Sequence, residues 1–515
     1  MKKLSYLFSV ITLMVTIVII GVLFTSTEAL AAQPEGQNKT PKDKIVFSTR
    51  LDFTTMDVTN TPSTITKSVY HSVYNTLVEK DVATNEIIPA LAESWTMDSP
   101  TEYSFILRQG VKFHDGSDFT SADVKFTYER ALEHNSSKSK LASLASIELD
   151  GDYALKIVLK QPNMDFLDII TDPTLSILSK NAFEALGDEK GIQQGTGPYK
   201  YKEWDQGSYL DLEANDEYWG GKPATNELRL QYISESSSRL IAVKTGEMDF
   251  IQDPPLSELA NIKADSSLKL LTYPSASVEL LFFNTKQPPM DNPDVRRAIE
   301  YALNRQDIVD GVFLGNAIPN NNIMHSSNAY YSEIESVDQD IEKAKELLAK
   351  AGYADGFELT LISNSSPDSQ AICTIVQAQL DEIGITVKYE PLENATHTTV
   401  AKSGEGYHMD SCQWSGYAFG PDLGIRELIY SSGSNNYAHY SDAKMDQMID
   451  DAIKIEDKSE RIAAYKAIEE YSEDVMVVYP ICVKNYTFVS GINVEDIPQP
   501  NGPIMNYRNL VSYSE

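Results

Sequence analysis

The residue types that most often act as metal ligands or catalytic bases are dispersed along this 515-residue chain. Histidines stand at positions 71, 114, 134, 325, 397, 408 and 439, and no two of them are four residues apart. This spacing excludes the H-E-x-x-H helix of zinc peptidases and gives weak support to any metal site. The chain contains no G-x-S-x-G nucleophile elbow, no P-loop and no G-x-G-x-x-G loop. We therefore expect no catalytic residue, no metal and no cofactor, and the pattern favours a binding protein over an enzyme.

Two short groupings could still support catalysis. His114 precedes Asp115 and Gly116, but an Asp-Gly pair after a strand is typical of a turn, and we favour that interpretation. Cys412 lies between His408 and Trp414, which would permit a Cys–His nucleophile pair. Two core residues on one strand are the interpretation that we favour there.

One segment has the composition of a binding loop. Residues 414–422, W-S-G-Y-A-F-G-P-D, combine three aromatic residues with glycine and proline. Pockets for small molecules are walled by aromatic side chains with a few polar groups, and loops often carry them. A core tryptophan followed by an ordinary loop is the alternative, and the pattern leaves both open.

The charge of the chain limits the partners it can bind. Lys and Arg total 43 against 75 Asp and Glu, which gives a net charge of −32. A surface this acidic repels phosphate backbones, so a nucleic-acid-binding protein is disfavoured. Solubility explains the charge most simply, and a preference for cationic or metal-chelating ligands is the alternative.

Three cysteines, Cys373, Cys412 and Cys482, are too few and too scattered for a disulfide framework or a zinc site. We expect three small core residues. One pair could still form a disulfide in an oxidising compartment.

The first residues of the chain have the pattern of an export signal. Lys2 and Lys3 precede an apolar run over residues 4–24, and Ala29-Leu30-Ala31 is a small-residue cleavage site. We predict a signal peptide at 1–31, with an uncleaved anchor as the alternative because the run approaches the length of a membrane span. Residues 32–44 then read as a flexible tether. The mature protein is expected outside the cytoplasm.

Strand and helix patterns alternate along the rest of the chain, which indicates an α/β fold. Asn292 and Pro293 form an N-cap with proline at the first helical position. The alternating run at 357–361, the apolar helical stripe at 372–383 and the alternating run at 385–389 predict a parallel βαβ unit. Helices are denser after residue 290, and mixed sheets in two lobes fit the pattern.

A series of short blocks stands out along the chain. The blocks are 91–95 (LAESW), 103–116 (YSFILRQGVKFHDG), 119–124 (FTSADV), 195–199 (GTGPY), 215–223 (NDEYWGGKP), 246–249 (GEMD), 283–284 (FN), 295–298 (VRRA), 344–348 (AKELL) and 351–353 (AGY). In composition and order, from about residue 45 to 510, they resemble one family: the large peptide- and nickel-binding class of extracytoplasmic solute-binding proteins (family 5) of ABC importers.

The resemblance implies a fold of two lobes joined by a hinge, with a central ligand cleft. This is the large three-domain form of the type II periplasmic-binding-protein-like fold. We place the core of lobe I at 40–75, 195–283 and 484–515. The domain inserted in lobe I is placed at 76–194, and lobe II at 284–483.

The resemblance also implies a ligand strand after Trp414, where Ser415, Gly416 and Tyr417 pair with an extended peptide by edge addition. In peptide-binding members an Asp in this segment holds the ligand's α-amino group, and here Tyr417 takes that place while Asp422 lies several residues beyond. An Arg that faces the ligand carboxylate is replaced by Gln370, and Arg426 is the nearest basic candidate. These departures fit a neutral or modified peptide, a sugar-like ligand or a metal chelate. His408 and His439 are the candidates for holding a chelate, although exposed surface histidines are the interpretation that we favour for both.

The expected function follows from the family. We expect a non-enzymatic, monomeric capture protein that delivers a peptide or peptide-like solute to the permease and ATPase subunits of an ABC importer. A metal-chelate scavenger or ligand sensor is the second hypothesis. A hydrolase on the same scaffold is the third.

Overall fold

The computed structural model describes residues 40–59, 64–81, 84–415, 420–497 and 505–513. The predicted export signal, 1–31, and the tether as far as residue 39 lie outside the described residues. Within the described ranges, no helix combines the length and apolar character that a bilayer crossing requires. The chain divides into two units. In the first, Pro41 pairs with Tyr513 in an isolated antiparallel bridge, and the second, Lys42–Ser512, contains the sheets and helices.

The described strands fall into one large sheet and three smaller ones. In chain order they are β1 (Lys44–Thr49), β2 (Val78–Lys80), β3 (Ile87–Pro89), β4 (Ala92–Ser99), β5 (Glu102–Leu107), β6 (Leu144–Leu149), β7 (Ala154–Leu159), β8 (Tyr199–Asp205), β9 (Tyr209–Ala214), β10 (Glu227–Tyr232), β11 (Phe250–Gln252), β12 (Leu268–Phe283), β13 (Ala317–Pro319), β14 (Phe357–Asn364), β15 (Ile385–Leu392), β16 (Met409–Trp414), β17 (Val478–Gly491), β18 (Val494–Glu495) and β19 (Val511–Ser512).

The described helices follow the same order along the chain. They are α1 (Thr64–Val73), α2 (Ser121–Ala131), α3 (Asn135–Lys138), α4 (Phe166–Ile169), α5 (Lys180–Leu186), α6 (Asp188–Gly191), α7 (Ser236–Lys244), α8 (Leu259–Ala264), α9 (Pro293–Ala302), α10 (Arg305–Phe313), α11 (Ile341–Lys350), α12 (Pro367–Asp381), α13 (Asn394–Ser403), α14 (Pro421–Ile429), α15 (Ala443–Ala452) and α16 (Lys458–Val475), with short 3-10 turns at Pro173–Leu175 and Leu256–Glu258.

Two long strands, β12 and β17, lie next to each other in the middle of the large sheet and connect its halves. The strand order is β15-β14-β16-β12-β17-β11-β1-β10-β9-β8, with β13 also on β17. Strands β12 and β17 pair antiparallel along most of their length, but the register shifts between Pro274 and Val278 and again between Glu279 and Leu280. Such bulges bend a strand and increase its twist, so the sheet changes direction at this crossing.

The separate four-stranded antiparallel sheet has the order β4-β5-β7-β6 and covers residues 92–159. Strands β6 and β7 form a hairpin and pair antiparallel on either side of the turn at 150–152. Helix α2 begins beside this sheet at Thr120, whose backbone N–H and hydroxyl both donate to the Asp123 carboxylate, at 2.8 and 3.1 Å. Thr120 and Asp123 therefore form a capping box at the start of this helix.

The predictions for the second half of the chain are confirmed as well. Asn292 caps α9, since its Oδ1 accepts the backbone N–H of Asp294 at 2.9 Å. Strands β14 and β15 are parallel and α12 connects them, which is the predicted βαβ unit. Strand β16 pairs parallel to β14 on its other side and antiparallel to β12.

The core consists of separate apolar clusters on the faces of these sheets. Cys373 and Cys482 lie in a cluster formed by β14, α9, α10 and α12, and Cys412 lies in another, under α14 to α16. All three thiols are buried and unpaired, so the prediction of three small core residues is confirmed.

His114 makes hydrogen bonds to the backbone, which agrees with the turn interpretation. Its Nε2 hydrogen-bonds with the carbonyl of Gly197 at 3.1 Å, and its Nδ1 accepts the backbone N–H of Gly195 at 3.3 Å. Burial lowers the pKa of His114 to about 4, so the ring is neutral. Gly195 and Gly197 must be glycines, because a Cβ on either would lie within 2.4 Å of the Val73 backbone.

Candidate functional site

The end of β16 carries the first residues of the predicted ligand strand. Trp414 is the last residue of β16, opposite Val278 of β12, and its half-buried ring packs against the apolar cluster under α14 to α16. Ser415 follows and is exposed. Gly416 and Tyr417 lie outside the described residues, so their predicted contact with ligand stays a prediction.

Strand β16 has an unpaired edge where it approaches Trp414. Its pairing with β14 extends from Met409 to Ser411, where Ser411 faces Ser363. From Cys412 onward, β16 has a strand neighbour only on the β12 side among the described residues. A free edge presents backbone N–H and C=O groups that an extended peptide can pair with.

A group of polar side chains lies beside this edge, and we call it the junction cluster: Glu279, Asp368, Gln413 and Lys484. Glu279 faces Gln413 across the β12–β16 pair, and the Gln413 amide donates to Glu279 Oε1 at 2.8 Å. Lys484 of β17 donates to Asp368, in the first turn of α12, at 2.6 Å. The cluster therefore joins three central strands to one helix N-terminus.

Glu279 is the most unusual member of the junction cluster because its carboxyl group is buried, with 3 % of the residue exposed. Burial raises the pKa of Glu279 to about 7; the nearby Lys484 opposes this rise, and Asp368 adds to it. Glu279 therefore titrates near neutral pH, where a small change in its surroundings alters its charge.

The structure places Gln370 two residues beyond Asp368 of the junction cluster. It lies in the first turn of α12, it is exposed, and its amide donates to the carbonyl of Ser365 at 2.9 Å. That hydrogen bond fixes the loop in front of the helix, and the side chain's predicted place opposite a ligand carboxylate stays a prediction.

Asp422 and Arg426, the two charged candidates beyond Trp414, pair with each other. The Arg426 guanidinium donates to both oxygens of Asp422, at 2.8 and 2.9 Å, and to Asp450 at 2.7 Å. It also lies 4.7 Å from the ring centre of Tyr430. Burial raises the pKa of Asp422, although Arg426 opposes the rise. A bidentate pair of this kind leaves neither group free to balance a ligand charge alone.

The N-terminus of α14 is covered by an acid from a distant part of the chain. Asp165 Oδ2 accepts the backbone N–H of Asp422 at 3.0 Å, and Asp165 is fully buried. Burial raises its pKa to about 8; the charges of Asp168 and Asp422 add to the rise, and Arg461 opposes it. Gly420 makes the contact possible, since a Cβ there would lie 2.8 Å from Asp165 Oδ2.

Asp165, Glu279, Asp368 and Lys484 were missed from sequence. Glu279 had a detectable signal, because it is the one charged residue in the apolar run 278–283. The others become neighbours only through pairings between residues more than 100 positions apart, such as Asp368 with Lys484.

The two histidines considered for a metal chelate make structural hydrogen bonds. His408 Nδ1 accepts the backbone N–H of Thr360 at 2.9 Å, and His439 Nε2 hydrogen-bonds with the carbonyl of Ala401 at 2.9 Å. Burial lowers the pKa of both rings. Among the described residues, no three His, Cys, Asp or Glu side chains are grouped closely enough to hold a metal ion.

Known proteins resemble this chain in sequence and in fold. The family model for bacterial extracellular solute-binding proteins, family 5 Middle, matches residues 86–436. The glutathione-binding protein GsiB of Salmonella typhimurium is 31% identical over 443 residues, covering 83% of this chain and 86% of that protein.

Two solved structures share the fold at 26% identity, each covering 92% of this chain. The structure of HbpA2 from Haemophilus parasuis has a TM-score of 0.81 and is covered to 100%. The ABC transporter-associated periplasmic binding protein DppA from Helicobacter pylori, in complex with the peptide STSA, has a TM-score of 0.78 and is covered to 98%.

Proposed function

The chain belongs to family 5 of the bacterial extracellular solute-binding proteins, and from that membership we propose that it captures a peptide or peptide-like solute outside the cytoplasm for an ABC importer. The observation that carries the proposal is the free edge of β16 from Cys412 to Trp414. Relatives named for glutathione or bound to a peptide support a peptide ligand.

The free edge provides backbone recognition that does not depend on ligand sequence. An extended peptide added beside β16 would satisfy the backbone groups that β14 leaves unpaired beyond Ser411. The aromatic ring of Trp414 at the end of the strand would cover one side of the ligand.

The junction cluster provides charge recognition. Lys484 offers a cation for a ligand carboxylate, and Asp368 and Glu279 offer acids for a ligand ammonium group. Lys484 and Asp368 are joined by one contact of 2.6 Å, whereas Arg426 binds both oxygens of Asp422 and also Asp450, so the junction cluster is better suited to read the ligand's termini. An ammonium group near Glu279 would favour its ionised form and so lower its pKa.

Two lobes would close over the ligand. We propose the borders given above: the core of lobe I at 40–75, 195–283 and 484–515, the inserted domain at 76–194, and lobe II at 284–483. The bulged crossing of β12 and β17 supports a hinge near Pro274 and Lys484. Ligand shifts the lobes toward closure by its higher affinity for the closed state, and the permease then recognises that state.

The remaining parts of the proposal concern the protein's setting. The chain would be exported by residues 1–31, would act as a monomer with no cofactor, and would release its ligand unchanged to the permease and ATPase subunits. Membership of an extracellular binding family supports the location and the absence of turnover.

The proposal is tested by thermal unfolding of residues 32–515, partially unfolded and refolded to remove carried ligand. The panel contains glutathione, di-, tri- and tetrapeptides, their N-acetylated and amidated forms, oligosaccharides, and nickel with and without chelators. A ligand at about 100 times its dissociation constant adds about 2.7 kcal/mol to the free energy of unfolding. We expect at least one peptide class to raise the melting temperature, whereas stabilisation by only sugars or nickel chelates would refute a peptide ligand.

A further inference from the structure

A pocket of about 480 Å³ lies within residues 286–441, formed by three segments. Lys286 follows β12, Lys402 lies in the last turn of α13, and the connection between α14 and α15 supplies the rest of the wall. We call it the basic pocket, defined by Lys286, Lys402, Ser431, Ser434, Asn436 and His439. Its walls come from segments other than the free edge of β16 and the junction cluster.

The charge of the basic pocket is opposite to that of the whole protein. Acidic residues outnumber basic ones by 75 to 43, yet none of the described residues that line the pocket is Asp or Glu. Both lysines are exposed, and neither forms an ion pair with a described carboxylate. Two positive charges therefore share one concave surface without a partner of opposite sign.

Two acids beside the wall, Asp442 and Asp446, are engaged in hydrogen bonds, and the charge of Glu405 acts on the His439 ring from outside the lining. Asp446 accepts the backbone N–H of Ser431 at 2.8 Å, and Asp442 accepts the hydroxyls of Tyr471 and Tyr440, at 2.6 and 3.0 Å. The positive charge of Lys402 also acts on Glu427. It lowers the pKa of that carboxyl group, although burial raises this pKa by more.

The wall is held in a fixed form by its own hydrogen bonds. The Asn436 amide donates to the carbonyls of Tyr430 and Tyr440, at 3.1 and 2.7 Å. Thr285, next to Lys286, donates its backbone N–H to the carbonyl of Ala438 at 2.8 Å. His439 has a positive φ of 49°, and a Cβ on Gly404 would lie 2.8 Å from its Nε2. Such a prepared wall lowers the entropy cost of binding.

We propose that the basic pocket binds a small, free, phosphate-bearing anion. Two lysine ammonium groups match a divalent phosphate group in charge, whereas a single carboxylate would neutralise only one of them. The hydroxyl of Ser434 adds a donor, and the volume lies within the range of small-molecule pockets. A phosphate on a lipid headgroup has the same chemistry, but the net charge of −32 opposes approach to an anionic bilayer.

The test compares the full mature chain, residues 32–515, with two double variants of equal charge change. Lys286→Gln/Lys402→Gln alters the basic pocket. Lys190→Gln/Lys263→Gln alters two exposed lysines outside it, neither of which is in an ion pair with a described residue. Isothermal titration calorimetry with sodium pyrophosphate at constant ionic strength gives the affinity, and co-sedimentation with phosphatidylglycerol vesicles tests the lipid source.

We expect saturable one-to-one binding of pyrophosphate by the unaltered protein and by the control variant. The pocket variant should bind at least about tenfold more weakly, since each lost ammonium removes a charge-assisted contact. Absence of saturable binding, or equal weakening in both variants, would overturn the proposal. Vesicle binding that requires the two pocket lysines, without pyrophosphate binding, would also overturn it in favour of a membrane. Because the readout contains no peptide, its failure is distinguishable from failure of the proposed function.

Discussion

The carboxylate of Asp165 accepts the backbone N–H of Asp422 at 3.0 Å, joining two residues that are 257 positions apart. Asp165 belongs to the proposed inserted domain and Asp422 begins α14 in the proposed lobe II. A neighbouring backbone bond, from the N–H of Met164 to the carbonyl of Ile453 at 3.1 Å, strengthens the same contact. The two proposed lobes therefore touch here as well as at the crossing of β12 and β17.

Replacing Asp165 with Asn should change how stability depends on pH. The pKa of Asp165 is raised by burial to about 8 in the folded protein and is about 4 in an unfolded chain. The folded state thus holds a proton that the unfolded state loses, and this group's contribution to stability is full below pH 4 and is lost as pH rises through 8. The titratable groups that interact with it are Asp168, Asp422, Arg461 and the tyrosines at 103, 330 and 465.

The measurement is the free energy of unfolding in urea between pH 5 and 8 for the unaltered protein and Asp165→Asn. We expect the difference between the two curves to change by up to about 1.4 kcal/mol per pH unit, with the variant gaining relative stability at high pH. Parallel curves would contradict the raised pKa. Taking a difference is necessary because Glu300 and Glu469 also have pKa values raised by burial to about 8.

Replacing Gly420 with Ala should weaken ligand binding by opposing the contact between the lobes. The new Cβ would lie 2.8 Å from both Cβ and Oδ2 of Asp165, and Gly420 has a φ of 110°. A penalty of about 1.4 kcal/mol on the closed state lowers affinity by about tenfold when closure is required for binding.

Gly187→Ala is the matched control, because Gly187 has φ 76° and ψ 171°, in the same extended positive-φ region as Gly420 (ψ 149°), but a Cβ added there would have no atom within 4 Å. This control introduces the backbone strain of a positive φ, which costs about 1 kcal/mol of stability, and it does not introduce the contact with Asp165. Calorimetric titration with the strongest peptide from the thermal panel should separate the two variants. Equal affinities would show that the Asp165 contact takes no part in closure.

The affinity for peptides with a free amino group should rise with pH through neutrality. Glu279 has a pKa raised to about 7, so it is mostly neutral at pH 6 and mostly charged at pH 8, where it attracts an ammonium group. In Glu279→Gln this rise should disappear, and only the fall caused by deprotonation of the ligand's own amino group, near about pH 8, should remain. The measurement is a calorimetric titration at both pH values, with the N-acetylated peptide as control. The assignment would be contradicted if the affinity of the unaltered protein and that of the variant changed with pH in the same way.

Lys484→Gln should reduce affinity for peptides with a free carboxylate more than for their amides. The side chain of Lys484 is 25% exposed and pairs with Asp368 at 2.6 Å, so its removal should change stability by less than about 1 kcal/mol. We expect the ratio of acid to amide affinity to fall by about tenfold. Lys343→Gln, which breaks the exposed pair with Glu346, is the control. An unchanged ratio in Lys484→Gln would remove Lys484 from ligand recognition.

Local elements could be predicted because their signals are local. Thr120 and Asn292 specify helix starts within three residues of themselves, and the two alternating runs around α12 specify a parallel pair. The crossing of β12 with β17 could not be predicted in the same way. Its register joins residues about 200 positions apart and depends on burial of both strands at once.

The candidate site shows the same division. Trp414 could be named from the sequence as a candidate binding residue, because an aromatic residue before Ser-Gly is a local feature. The structure places it at the end of β16. Asp165 had no such signal, since its burial depends on the distant Gly420 having no side chain. The pairing of Asp422 with Arg426 was accessible from their spacing of four residues, which brings side chains together on one helix face.

Hydrogen–deuterium exchange of the strand end, residues 412–415, reports whether a peptide pairs with the free edge of β16. The stripped chain, residues 32–515, is measured with and without a peptide that stabilises it, and with N-methylated forms of that peptide as controls. If the ligand adds to the free edge of β16, the amides of this segment exchange more slowly with the peptide, and N-methylation reduces both protection and affinity. Tight peptide binding that leaves exchange at 412–415 unchanged would contradict edge addition at β16.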